Sequence, residues 1–169
     1  MRRWRRQRAE RRQLMTVEPE ILEVLRGLRA RVPMASGAMA ASTDGLVLAQ
    51  ACDEVEPEPA AALTAAALGV ALRLAESGSC GDFRELVVRG DLGYVATYAA
   101  GPSAVLTVWA GPQTNVGRLH MEARQAGSRV ARLLQGALDR AAASVATTKD
   151  RPDRGPRRRS PHPSQESEK

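Results

Sequence analysis

Side chains able to do acid–base, nucleophilic or metal chemistry are few in this chain and lie far apart. Of its two histidines, His162 falls in a Pro/Arg/Ser-rich end segment and His120 falls beside the apolar seam of a long periodic segment, the setting of a packed histidine rather than of a base or ligand. Cys52 and Cys80 belong to no CxxC or Cys/His cluster, so they build neither a disulfide framework nor a zinc site. They read as small structural residues of a protein in a reducing, cytoplasmic setting. Gly78-Ser79-Cys80-Gly81 lacks the Lys-Ser/Thr of a phosphate loop, and a strand-like run follows it instead of a helix. Glu54, Glu56 and Glu58 alternate through a Pro-containing linker, which gives three carboxylates no fixed geometry for a metal. No catalytic residue, cofactor motif or metal site is therefore expected, and the chain reads as a non-enzyme. Its function must lie in surfaces, and surfaces depend on the elements that carry them.

The element around which the rest is organised is Pro57 to Ser77, PEPAAALTAAALGVALRLAES, with Pro57 and Pro59 at its start and Ser77-Gly78 at its end. At ~100° per residue, Ala60, Leu63, Ala67, Val70 and Leu74 form one apolar stripe, and Ala61, Thr64, Leu68, Leu72 and Ala75 form a second. Only Glu58, Ala62, Gly69, Arg73 and Glu76 make a partly polar strip. A helix that is apolar over about two thirds of its circumference needs cover on two sides, where an ordinary surface helix needs it on one. The domain's own sheet supplies one cover. The other comes either from a terminal segment of the same chain or from a second copy across a two-fold axis; the polar flanks and the many alanines favour the second copy.

Around this helix the pattern sets out the remaining elements. Glu18 to Val32 places Ile21, Leu25, Leu28 and Val32 at helical spacing between Pro19 and Pro33. Met34 to Ser42 and Leu46 to Gln50 read as a hairpin turning at Thr43-Asp44-Gly45. Phe83 to Arg89, Gly93 to Ala99 and Ser103 to Ala110 read as three strands with links too short for parallel crossovers, hence an antiparallel meander. In the last of them Leu106 and Val108 face one way and Val105 and Trp109 the other, so the sheet is sandwiched by helices. A final helix, capped by Thr114 or Asn115, runs to about Leu138 with Leu119, Ala123, Ala126, Val130 and Leu133 on its seam.

The charge is unevenly spread. The 169-residue chain carries +6 overall, but residues 1–17 alone hold seven Arg and one Glu, and residues 147–169 add three more net positive charges, which leaves the middle mildly acidic. The division expected is a basic disordered arm over residues 1–17, one domain over 18–140, and a disordered Pro/Arg/Ser tail over 141–169. Met15 is an alternative start to Met1. No apolar core follows the basic start as a secretory signal requires, and no charge-free run of ~18 apolar residues is present. Residues 2–12, with Trp4 among arginines, suit a weak contact with an anionic membrane; an acidic middle gives no reason to expect a specific nucleic acid.

The order helix, hairpin, helix, three-stranded meander, helix resembles the Roadblock family, the dynein light-chain roadblock type. The likeness is carried by Ser36-Gly37 through Ser42-Thr43-Asp44-Gly45-Leu46, by the Ala/Leu-rich helix, by Gly90-Asp91-Leu92-Gly93-Tyr94 and by Gly111-Pro112-Gln113-Thr114-Asn115-Val116-Gly117, from about Pro19 to Leu138. It is similar above all to the alanine- and arginine-rich bacterial members. The resemblance implies an α+β fold of order α-β-β-α-β-β-β-α, a five-stranded antiparallel sheet with one helix on one face and two on the other. It implies a homodimer joined through the third strands, with the middle helices side by side. It also implies a platform for a small Ras-like GTPase, some bacterial members stimulating hydrolysis without donating an arginine.

On that footing the dimer interface is expected at Leu63, Leu68, Leu72, Phe83, Leu86 and Val88, and the GTPase-binding strip at Glu58, Ala62, Ala65, Ala66, Gly69 and Arg73. Arg73 is also spaced to pair with Glu76 within the helix. Two other classes stay open at this level: a ligand-sensing domain, and an adaptor that meets membrane or nucleic acid through its basic arms.

Overall fold

A computed structural model describes residues 16–52 and 54–149, with side chains described as far as residue 143. The first helix, α1 (Glu18–Arg31), has Pro19 in its first turn beside Glu18 and Glu20, and Arg29 and Arg31 in its last, which suits both the fixed φ of proline and the helix dipole. Its stripe of Ile21, Leu25 and Leu28 is buried. Strands β1 (Ala35–Ser42) and β2 (Val47–Cys52) form the hairpin. Its turn closes by hydrogen bonds from the Ser42 amide to the Leu46 carbonyl (2.8 Å) and from the Leu46 amide to the Ser42 hydroxyl (2.9 Å), with Gly45 at φ 88°. Helix α2 (Pro57–Ser77) has the bounds that its prolines and Ser-Gly end predict. Strands β3 (Glu85–Gly90), β4 (Gly93–Ala99) and β5 (Ala104–Ala110) then lead to α3 (Val116–Lys149), where the Asn115 side-chain oxygen accepts from the Arg118 amide at 3.0 Å.

The five strands make one antiparallel sheet in the order β2-β1-β5-β4-β3, so β2 and β3 are its edges. Helices α1 and α3 cover one face. Ile21, Leu25, Leu28, Leu119 and Val130 meet Ala38, Ala40, Ala96, Tyr98, Leu106 and Val108 there in a single core. Small residues set how close the layers come: a Cβ on Gly127 of α3 would stand 2.9 Å from the Ala99 carbonyl oxygen of β4, closer than any side chain tolerates. The Arg31 guanidinium at the end of α1 donates to Glu122 near the start of α3 at 2.6 Å, which fixes the two helices as antiparallel neighbours.

Helix α2 lies on the opposite face. Ala61, Thr64, Leu68 and Ala71 point down, and Ala61 and Leu68 pack with Met39, Ala41 and Val105. Three buried hydroxyls satisfy one another beneath it, Thr64 to Thr107 at 3.4 Å and Thr107 to Thr97 at 3.0 Å. By length and composition α2 is also apolar enough to span a membrane, although one of its faces packs on the sheet.

Several strand ends shift by a residue or two, β2 running to Cys52 instead of Gln50, and three further boundaries differ from those the sequence predicts. Val17, grouped with the basic arm by charge, is 1% exposed and belongs to the core. Phe83 precedes β3, which starts at Glu85. Helix α3 continues beyond Leu138 to Lys149, with Ala141 2% exposed, so it takes in the first part of the segment assigned to the tail. Alanine-rich sequence sustains a helix even where the apolar period fades, because alanine has the best intrinsic propensity. The rest of the expected arm and tail, residues 1–15 and 150–169, lies outside the described residues.

Candidate protein-interaction surface

The second apolar stripe of α2 serves the sheet and the first faces outward. Leu63, Val70 and Leu74 are 72%, 61% and 64% exposed, and their spacing of seven and four sets them along one flank as a ridge of large apolar side chains. Isolated exposed leucines are ordinary, but a run of three on one helix flank is a surface lacking a partner. Beside this ridge lies the strip of Glu58, Ala62, Ala66, Gly69 and Arg73, all exposed, with Ala65 half-buried against the β1–β2 turn at Gly45. A Cβ at Gly69 would meet nothing within 4 Å. The pair expected between Arg73 and Glu76 is absent among the described residues, so Arg73 is an exposed cation with no partner.

Two of the residues expected at a dimer interface lie apart from the ridge. Leu68 is 5% exposed and sits in the cluster of Met39, Ala41 and Val105, so the chain's own sheet already consumes it. Leu72 is 47% exposed but stands nine residues from Leu63, about 180° around the helix, so a single flank cannot present both. Val70 and Leu74 are exposed apolar residues outside the expected set. Their signal is the i, i+7, i+11 spacing shared with Leu63.

The edge strand β3 is the other open feature. Leu86 and Val88 lie on the α2 face opposite Thr97 and Val95; Leu86 is half-buried and Val88 is 55% exposed, while Phe83 packs half-buried against the α2-side core. The two edges of the sheet differ in how they are protected. On β2 the Arg29 guanidinium reaches across from α1 to the Ala51 carbonyl at 2.8 Å, whereas β3 carries two exposed valines, Val87 and Val88.

The start of β3 is clasped to α3. Arg124 donates twice to Glu85, both at 2.9 Å, and that hydrogen-bonded pairing holds the Glu85 carboxyl below its ordinary value against the opposing effect of burial. His120 Nδ1 stands 3.5 Å from the same carboxylate and 3.0 Å from the Tyr98 hydroxyl. Burial, followed by the negative charge of Glu85, pushes the Tyr98 phenol well above its usual range. The two Arg124 hydrogen bonds join α3 to the first residue of β3, so the cluster reads as a strut beneath the edge strand. Among the described residues no group of three His, Cys, Asp or Glu side chains is placed to hold a metal, and no disulfide joins Cys52 and Cys80.

With this geometry in hand, the sequence pattern of the Roadblock/LC7 domain matches residues 21–110. The chain belongs to the Roadblock/LC7 family. Its fold is similar to a Roadblock/LC7 domain from Streptomyces avermitilis, at 28% identity and a TM-score of 0.64, over 68% of this chain and 97% of that one. It is similar too to the gliding protein MglB from Thermus thermophilus, at 22% identity and a TM-score of 0.64, over 70% and 91% of the two chains. An MglB in a tetrameric arrangement matches at 22% identity and a TM-score of 0.66, over 71% and 91%. No curated protein sequence gives a significant match. The Roadblock/LC7 match ends at Ala110, so α3 and both basic ends of the chain lie outside it.

Proposed function

We propose that this Roadblock/LC7 domain acts without catalysis of its own, as a cytoplasmic homodimer that binds and regulates a small Ras-like GTPase in a signalling module. The observation that carries the reading is that α2 is covered on one side only: its apolar ridge and its shallow strip are adjacent, separate and both open. The ridge of Leu63, Val70 and Leu74, with the β3 edge at Leu86 and Val88, takes the second copy, which removes both the exposed apolar area and the unblunted edge. The strip of Glu58, Ala62, Ala65, Ala66, Gly69 and Arg73 takes the GTPase. Small side chains there leave a flat area that a partner can approach closely, and Arg73 supplies one unpaired cation for an acidic switch region or a phosphate oxygen.

The test is co-purification of candidate GTPases with the full-length chain, followed by GTP turnover. Gly69→Arg is expected to abolish binding while leaving the dimer mass unchanged, since its side chain enters open space. Arg73→Ala is expected to lower binding and any stimulation together; a loss of turnover by orders of magnitude with binding intact would instead assign Arg73 as an arginine finger. Unchanged binding by Gly69→Arg would remove the proposed strip, and recovery of no GTPase would remove the partner.

A further inference from the structure

The face opposite α2 has a different character. At ~100° per residue, Arg118, Arg129, Arg132 and Arg140 of α3 fall within an arc of about 80°. All four are exposed, and none forms an ion pair or side-chain hydrogen bond among the described residues. Met121, 52% exposed, stands in or beside the same arc; of the two acids of α3, Glu122 falls at the edge of the arc but is buried and taken up by Arg31, and Asp139 accepts from Gln135 at 2.9 Å. By sequence α3 carries six cations and two acids, whereas α2 carries one cation and two acids, so the two faces of the sheet present opposite charge. The chain outside the described residues continues this polarity: residues 1–15 lead into α1 and residues 150–169 leave α3, the two helices of the basic layer, and residues 1–15 hold seven arginines with Trp4 among them.

We propose that the outward stripe of α3 is a docking surface for an anionic phospholipid bilayer, which orients the domain with α2 turned away from the lipid. Cations on one straight stripe of about 33 Å, at 1.5 Å per residue from Arg118 to Arg140, meet a flat sheet of phosphates. An exposed methionine beside them offers apolar area to the headgroup boundary. Duplex DNA, whose phosphates and guanine edges arginine also binds, is the alternative that the experiment separates.

The experiment is co-sedimentation of the full-length chain with phosphatidylcholine vesicles with and without phosphatidylglycerol, over a range of salt. Binding is expected only with the anionic lipid, weakening as salt rises. Each cation removed is expected to cost about fivefold, so Arg129→Glu/Arg132→Glu weakens binding about 25-fold or more. Arg118→Gln/Arg140→Gln, a milder pair, weakens it by a similar factor, and Arg73→Glu on the α2 face leaves it unchanged. An unaltered melting temperature certifies each fold. Both α3 variants binding like the wild type would overturn the proposal and leave the attraction to the terminal segments alone. Tighter binding to duplex DNA than to the anionic vesicles would overturn it as well.

Discussion

Glu85 shows how a single residue couples the edge of the sheet to the helix beneath it. Its carboxylate is held by two charge-assisted hydrogen bonds from Arg124, with His120 3.5 Å away, and its folded pKa lies below the ordinary 4.5. A depressed carboxylate contributes stability that is fully present above its unfolded value and is lost as pH falls through the lowered folded one. Melting temperature recorded from neutral pH downward is therefore expected to drop for the wild type below about pH 4.5, and Glu85→Gln is expected to melt lower at neutral pH with a flatter acid limb. Identical acid limbs would show that the clasp contributes nothing. Leu68 gives the complementary case of a residue consumed by the interior: 5% exposed in the α2-side core, it is expected to cost about 2–4 kcal/mol as Leu68→Ala in chemical denaturation. Leu63→Ala, at 72% exposure, is expected to cost an isolated domain almost nothing.

Elements decide which of the apolar side chains are free. Helix α2 is apolar nearly all round because two surfaces act on it, and only its docking angle on β1 and β5 selects Ala61, Thr64, Leu68 and Ala71 for the sheet. At the sheet's margins, β2 is guarded by Arg29 from α1, and β3 is left with Val87 and Val88 exposed. An unguarded apolar edge either aggregates or pairs, and a lysine at its centre is the usual deterrent. Val88→Lys is accordingly expected to convert a dimer into a monomer in sedimentation equilibrium while the fold, judged by circular dichroism, is kept. A dimer that survives both Val88→Lys and Val70→Glu would place self-association elsewhere on the molecule.

At the scale of the whole molecule the sheet separates two kinds of surface. One side bears α2, with its apolar ridge, its small-residue strip and a net acidic count; the other bears α1 and α3, with a line of exposed arginines on α3. Edge-to-edge pairing of antiparallel strands about a two-fold axis normal to the sheet would set both copies' α3 layers on one side and both α2 helices on the other. The proposed dimer and the proposed lipid surface are thus compatible in one assembly, and the GTPase strip stays accessible in it.

Sequence alone determined the features set by periodicity and punctuation. The α2 bounds came from Pro57, Pro59 and Ser77-Gly78, the meander from links too short for crossovers, and the sandwich from β5 being apolar on both faces, because these are local constraints of backbone geometry and hydrophobic alternation. The two stripes of α2 were legible as well, but not which one the sheet would take: Leu63-Val70-Leu74 is the more apolar set, yet Ala61-Thr64-Leu68 is the one that is buried. That choice rests on packing against Met39, Ala41 and Val105 and on the threonine chain from Thr64 to Thr107 and Thr97, contacts between residues of different elements. For the same reason only the tertiary structure could join Glu85 to Arg124, or show that Arg73 leaves Glu76 unpaired. Chain connectivity sets which side chains can line up along one element, whereas the docking of elements sets which of them water still reaches.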